Sequence, residues 1–434
     1  MKSLTMLIRS WRIMTLFAAT MTLMGGGLLS QVPQEYAREV YQARRARLAE
    51  LLGDALAIVL ARSEDDIDEF VQDNYFYYLT GLEVPDAALI IWPGAPRETW
   101  KEILFLPPKD PQQEVWTGPK LAPGKEAQEL TGIATILPTT QLDSMLARLL
   151  RQNPTVAVLN EPVGLNDPPT RYLYFVNRLR ERYPALPIIN LSVILDGMRR
   201  IKDAYELRLM QRAIDITAEA LITAMQRLQP GMYEYEIEAL IEYEFKRRGA
   251  MQLAFPSIIG SGIRTTILHY NQNRHRIEDG DLVLMDVGAR FGYYCADITR
   301  TVPANGKFTK EQREIYEIVL EAQQRAMDAI RPGVKIRDVI HRVAKEFIES
   351  KGYGKYFPHS TSHYLGMEVH DVGDYNQPLE PGVVITVEPG IYIPEKKIGI
   401  RIEDDVVVTE NGYRLLSGKV PRDPDAIERL MRQR

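Results

Sequence analysis

The stretch LVLMDVGARFGYYCADITRT, residues 282–301, constrains the fold of this chain more than any other. Two runs rich in Leu, Val, Met, Ile and Thr flank a glycine-containing turn, the pattern of a buried β-hairpin. Yet each run carries an aspartate, Asp286 and Asp297, where a core residue belongs. An unpaired ionised carboxylate in apolar surroundings costs several kcal/mol or takes up a proton. The fold must therefore bring something to these two acids. On one continuous strand their odd separation would aim them at opposite faces. A turn centred between Phe291 and Gly292 instead sets them directly across from each other, on one face, with Cβ atoms about 5 Å apart. Carboxylates held that close repel unless a cation lies between them, and a divalent metal is the simplest cation to supply.

A second segment repeats the device. VVITVEPGIYIPEKKIGIRIEDDVVVT (383–409) carries Glu388 and Glu403, with their midpoint inside the turn PEKK. Four facing carboxylates exceed what one hard cation needs from protein, and two metals sharing ligands about 3.5–4 Å apart fit better. The repetition predicts pseudo-symmetric halves, each a helix pair plus a hairpin. Five of the chain's six histidines stand in two clusters: His269 and His275 in HYNQNRH, and His359, His363 and His370 in PHSTSHYLGMEVHDVG (358–373). Carboxylates with one or two imidazoles suit Mn, Co, Fe or Zn. A structural calcium site is disfavoured, because calcium takes oxygen ligands throughout. A thiolate site is excluded, because Cys295 is the single cysteine, and its place in the hairpin reads as packing. His275 and His359 read equally as structural residues or as support for the ligands. Asp371, Asp404 and Asp405, at the borders of these motifs, read as turn or solvent residues.

Elsewhere the chain is ordinary. With 434 residues it has room for two or three domains, and a net charge of −5 gives no reason to expect nucleic acid as a partner. From Pro33 to about Leu195 the pattern is α/β. Strand runs stand at 55–61, 87–94, 102–108, 155–160 and 187–192, helical runs at 35–52 and 170–183 lie among them, and a mixed sheet follows. Two long helical patterns, 204–228 and 234–249, open the following part, and another pair, 310–330 and 335–351, precedes the second hairpin. This reading gives an N-terminal domain over 33–196, a catalytic domain over 197–415 and a tail over 416–434. Residues 1–30 place Lys2, Arg9 and Arg12 before an apolar run from Ile13 to Met24, the order of a secretory leader. The expectation is an exported protein, cleaved or anchored. A mis-assigned start would instead leave the protein cytoplasmic.

MDVGARFGYYCADITRTVP, STSHYLGMEVHD, TVEPGIY and GIRIEDD resemble the signature elements of the creatinase, aminopeptidase P and methionine aminopeptidase family, with its "pita-bread" metallopeptidase domain. QDNYFYYLTGLEVPDAALIIWPG (72–94) and EVWTGPKLAPGKEA (114–127) look like the aminopeptidase P amino-terminal domain. The resemblance implies an α/β amino-terminal domain with a mixed sheet, followed by an α+β pita-bread catalytic domain with pseudo-twofold halves. It maps five metal ligands onto Asp286, Asp297, His363, Glu388 and Glu403, none of them missing. Two divalent ions, manganese first and Co, Zn or Fe as alternatives, would activate a hydroxide to attack an amino-terminal Xaa-Pro bond. Glu388 would act as general base and then acid, His370 and His269 would hold the carbonyl oxygen and the intermediate, and His359, Tyr392 and Arg401 would border the substrate. The implied substrates are peptides with proline second. The rivals are a prolidase restricted to Xaa-Pro dipeptides and a non-catalytic binding protein on the same scaffold. Relatives commonly form dimers or tetramers through the first domain, where the aromatic run YFYYL (75–79) reads either as a contact or as core.

Overall fold

The structure is a computed structural model and describes residues 37–64, 70–160, 164, 166 and 169–433. The leader expected over 1–30 lies outside the described residues. The chain divides into two compact units, 1–195 and 196–434.

The first unit is built on one mixed sheet. Its strands are β1 (Leu56–Leu60), β2 (Ala88–Ile91), β3 (Glu102–Leu106), β4 (Thr135–Pro138), β5 (Val156–Val158) and β6 (Ile188–Asn190), in the order β4-β3-β2-β1-β5-β6. β1, β2 and β3 pair antiparallel, while β4, β5 and β6 add in parallel. Sequence reading misses β4, which is short and only half-buried, so it lacks the continuous apolar run of its neighbours. Leu56, Ile58, Ile90, Phe105 and Val156 form the core of this sheet. The aromatic run is a helix, Asn74–Thr80, started by Asp73, whose carboxylate accepts the Phe76 N–H at 2.8 Å, and stopped by Gly81 in the left-handed region. Tyr75 to Leu79 are all buried within the chain, so the reading of YFYYL as a subunit contact gives way to the core one.

The second unit repeats a helix pair and a set of strands twice. The helices Ala204–Arg227 and Glu234–Arg247 lead into β7 (Gln252–Leu253), β8 (Ile258–Ser261), β9 (Leu282–Val287), β10 (Ala289–Phe291), β11 (Tyr294–Cys295) and β12 (Ile298–Pro303). The helices Lys310–Asp328 and Arg342–Ser350 lead into β13 (Val384–Val387), β14 (Gly390–Ile393), β15 (Ile398–Arg401), β16 (Asp404–Thr409) and β17 (Gly412–Leu415). The strand orders are β11-β10-β7, β12-β9-β8, β13-β16-β17 and β14-β15. Together with the mixed sheet of the first unit, this is the fold class expected from the sequence. The second helix of the later pair begins a turn late: Ile336–His341 is a π-helical turn before the α-helix proper. No helix among the described residues is long and apolar enough to cross a membrane.

The two hairpins differ in how well the sequence set their register. In the second, Val387 pairs with Asp404 and Gly390 with Arg401, so the same register carried through the gap puts Glu388 opposite Glu403, as expected. In the first, Asp286 pairs with Thr299, and Phe291 with Tyr294. The turn is therefore Gly292–Tyr293, both with positive φ, and not the predicted centre one residue earlier. Positive φ at both central residues is the two-residue turn that matches strand twist. Asp286 and Asp297 consequently sit diagonally, two residues out of direct opposition. A slip of two keeps both side chains on one face.

Candidate active site

The carboxylates are delivered at breaks in the ladders. Asp286 lies in β9, and Asp297 immediately precedes β12. Glu388 follows β13, and Glu403 precedes β16. His363 arrives on a segment that runs antiparallel along β13: Glu388 N–H donates to Thr361 C=O at 2.8 Å, Thr386 N–H to His363 C=O at 3.0 Å, and Leu365 N–H to Val384 C=O at 3.1 Å. Each segment of the site is thus pinned by main-chain bonds, which fix side-chain direction better than a free loop does.

All five expected ligands line one cavity of about 720 Å³. His363 Nε2 lies 3.4 Å from Asp297 Oδ2, 3.4 Å from Glu388 Oε1 and 4.0 Å from Glu403 Oε1. His363 Nδ1 is 3.0 Å from the Tyr364 carbonyl, which can only accept, so Nδ1 carries the proton and Nε2 presents its lone pair to the acids. Thr299 Oγ1 donates to Glu403 Oε2 at 2.6 Å, and Arg401 Nε donates to Thr299 Oγ1 at 3.1 Å. A further bond, Glu403 N–H to Thr299 C=O at 3.1 Å, ties the two hairpins together.

The electrostatics are unbalanced. Arg401, buried, donates through Nη2 to Asp286 Oδ2, and it is the buried guanidinium against these acids. Burial first raises Asp297 and Glu403 well above the usual carboxylate range, followed by repulsion from neighbouring acids, led by Asp286 for Asp297 and by Asp297 for Glu403. Glu388 is raised by burial, with His363 and Arg401 pulling the other way. Asp286 Oδ1 and Asp297 Oδ1 are buried without a hydrogen-bond partner. Asp297, His363 and Glu403 each bring a ligand atom within 4.8 Å of the others, and an imidazole with a free lone pair among carboxylate oxygens is the donor set a divalent transition metal takes. The residues present fit such ions.

The remaining candidates separate into wall and backing. His269, His359, His370 and Arg401 line the cavity. The His370 ring stands edge-on to that of His363, with centroids 4.5 Å apart. Tyr392, expected at the substrate, is not among the cavity's lining side chains. It is buried behind them, its hydroxyl 3.0 Å from Arg401 Nη1 and 2.8 Å from His359 Nε2. His359 Nδ1 lies 2.8 Å from the Ser360 carbonyl, so the ring donates there and receives the Tyr392 O–H. Burial, then Arg401, push His359 down to about 4, which keeps the ring neutral. His275 is off the cavity. Its backbone N–H bonds Glu234, a fully buried carboxylate that also accepts from Ser261, Arg264 and Tyr270.

Three acids assigned to turns or solvent are buried instead. Asp371 accepts from Arg199 Nη2 at 2.8 Å and Lys202 Nζ at 2.9 Å. Burial alone would raise it, but Lys202 and Arg199 outweigh that and hold it below the usual range. Asp404 pairs with Arg300 at 2.7 Å. Asp405 accepts the Asp297 N–H at 3.1 Å, and burial raises it well above normal. Cys295 is buried, with burial lifting its thiol to about 12, in keeping with packing. Sequence reasoning missed Arg337 and Tyr375, which also line the cavity. Neither stands inside a recognisable motif.

Comparison with known proteins agrees with this geometry. Metallopeptidase family M24 matches residues 208–410, and the aminopeptidase P N-terminal domain matches residues 41–158. A Xaa-Pro aminopeptidase of Haemophilus influenzae is 37% identical over 91% of this chain and 97% of its own length. A Xaa-Pro dipeptidase of Pyrococcus furiosus is 41% identical, over 56% of this chain and 70% of its own. Among solved structures, aminopeptidase P from E. coli with the inhibitor Pro-Leu superposes with a TM-score of 0.82 at 35% identity, covering 92% of this chain and 99% of that one.

Proposed function

The chain belongs to metallopeptidase family M24, and from that premise we propose that it is an aminopeptidase releasing the first residue of peptides whose second residue is proline. The observation that supports this most is the pocket of four carboxylates and one imidazole, with two oxygens left over for cations, in a chain that also carries the aminopeptidase P N-terminal domain. Asp286, Asp297, His363, Glu388 and Glu403 would hold two divalent ions, manganese in our reading. Bound there, such ions lower the pKa of water toward neutrality and polarise a substrate carbonyl.

The chain's own groups do the rest. Glu388 takes the proton from the attacking water and passes it to the proline nitrogen as the bond breaks. An amine leaves the tetrahedral intermediate only once its nitrogen is protonated, since the bare amide anion is far too basic to be expelled. His370, on the cavity wall beside His363, donates to the oxygen that gains charge, a contact worth a few kcal/mol in the transition state. His269 holds the peptide at the same oxygen. Neutral His359 cannot repel a substrate ammonium, and through Tyr392 it keeps Arg401 directed at Asp286.

Release of alanine from Ala-Pro-Ala tests the reading. The metal-depleted protein should be inactive, and manganese should restore turnover with about two ions bound per chain on metal analysis. No bound metal and no activity would favour the binding-protein reading. The dipeptidase match supports a second reading, and hydrolysis of Ala-Pro but not Ala-Pro-Ala would select it. We also infer a homodimer or homotetramer. Val115 and Trp116 are exposed apolar side chains in the first unit available for such a contact, and light scattering of the native protein against Trp116→Ser tests it. Export through residues 1–30 is our reading of the leader. Amino-terminal sequencing of the protein recovered from fractionated cells tests it, and an intact Met1 in the cytoplasm would refute it.

A further inference from the structure

The acid cluster accounts for one part of the cavity wall, and an unanswered cation occupies another. Arg337 lines the same cavity and is exposed. Its guanidinium stands 5.3 Å from the centroid of the Tyr375 ring. Among the described residues no carboxylate lies within ion-pair distance of it. The cavity's other arginine, Arg401, is taken up by Asp286, Thr299 and Tyr392. Tyr375 is itself fixed, edge-on to Tyr364 with ring centroids 5.2 Å apart, and it lies within electrostatic reach of both Glu388 and Arg337.

The element carrying Arg337 is anchored to the site. Arg337 sits in the π-helical turn Ile336–His341, a conformation that recurs at functional sites. At the end of that turn His341 Nδ1 is 3.0 Å from Thr361 Oγ1, on the segment that presents His363. Arg337 thus issues from a platform tied to the acid cluster rather than from a free loop.

A peptide in this cavity brings opposite charges at its two ends. With the acids answered by metal, Arg337 repels the peptide's ammonium and attracts a carboxylate, an arrangement that favours Arg337 facing the leaving-group side of the scissile bond. A guanidinium on an aromatic face is directed and weakly hydrated, well suited to a carboxylate. We propose that Arg337, backed by Tyr375, binds a carboxylate on the leaving-group side and so selects short peptides with a free carboxyl terminus or peptides with Asp or Glu after the proline. This rests on the aminopeptidase reading above.

The test compares native protein with Arg337→Leu and Arg337→Lys, manganese-loaded, on Ala-Pro-Ala against its carboxyl-terminal amide, and on Ala-Pro-Asp-Ala-amide against Ala-Pro-Asn-Ala-amide. Native protein should favour the charged member of a pair by about ten-fold in kcat/KM, carried by KM. Arg337→Leu should bring that ratio near one, with Arg337→Lys between. The pair that responds identifies the carboxylate as terminal or side-chain. Equal ratios in native and Leu proteins for both pairs would overturn the proposal. Calorimetry with Pro-Leu and Pro-Leu-amide needs no turnover. If no peptide is cleaved, the hydrolytic reading fails, and the calorimetric acid-to-amide ratio alone decides Arg337. Native binding about ten-fold tighter for the acid, lost in Arg337→Leu, supports it, and equal affinities sink it.

Discussion

Glu388 is the residue whose removal separates chemistry from fold most cleanly. Glu388→Gln keeps shape and the Thr386 contact but cannot shuttle a proton, so kcat should fall by about 10²–10⁴ with an unchanged circular dichroism spectrum; near-native kcat would remove it from the mechanism. Arg401→Met asks a different question. It leaves Asp286 buried without its guanidinium, and breaking such a pair costs about 3–5 kcal/mol. Thermal unfolding should show that loss in metal-free protein and a smaller one once manganese is bound, because the cation then answers Asp286. A loss of equal size with and without metal would mean that Arg401 serves packing alone. At this scale the sequence was legible wherever an acid interrupted an apolar run. It was illegible for Asp371, Asp404 and Asp405, because what buries them, Arg199, Lys202 and Arg300, lies a hundred residues or more away along the chain. Local pattern carries no trace of such a partner.

Among the elements, the hairpins show what periodicity can and cannot give. Continuous apolar runs around a turn identified both ladders, and the period of two across the turn gave the face on which the acids stand. The exact pairing depends on the turn, and Tyr293 is not a residue that announces positive φ. The second hairpin was easier, since its longer PEKK turn ends in Lys397 without shifting the ladder. Gly288, between β9 and β10, is where the first hairpin tolerates no side chain: a Cβ there would run into the Ala296 carbonyl and crowd Phe255. Gly288→Ala should therefore destabilise the protein by several kcal/mol, beyond the 1–3 kcal/mol of ordinary overpacking. A denaturant midpoint unchanged from native would show that the strand can shift to admit it. Glu234 plays the matching part for the loop that bears His269, receiving donors from Ser261, Arg264, Tyr270 and His275 at once.

For the molecule as a whole, protonation and metal compete for the same oxygens. Asp297, Glu388 and Glu403, raised in the folded state, stabilise metal-free protein fully below their unfolded values near pH 4 and lose that contribution as pH rises through their folded values. His359 acts in the opposite sense. Held down to about 4, it contributes stability above its unfolded value near 6.5 that is lost as pH falls. The metal-free profile is thus flattened by compensation, whereas the shift in Tm on adding manganese should grow steadily from pH 5 to pH 8. A shift that shrinks over this range would contradict a carboxylate-held cation.

His363 rides on the strand set of the later half and yet reaches Asp297 of the earlier one. Any ion seated between them belongs to both halves, so the catalyst doubles as a rivet. Starved of metal, the protein keeps the Arg300–Asp404 and Asp297–Asp405 bonds that join the halves and loses only the ion's share, so limited proteolysis should run faster on metal-free than on manganese-loaded protein. The enzyme would then register the supply of its own cofactor as a change in lifetime as well as in rate.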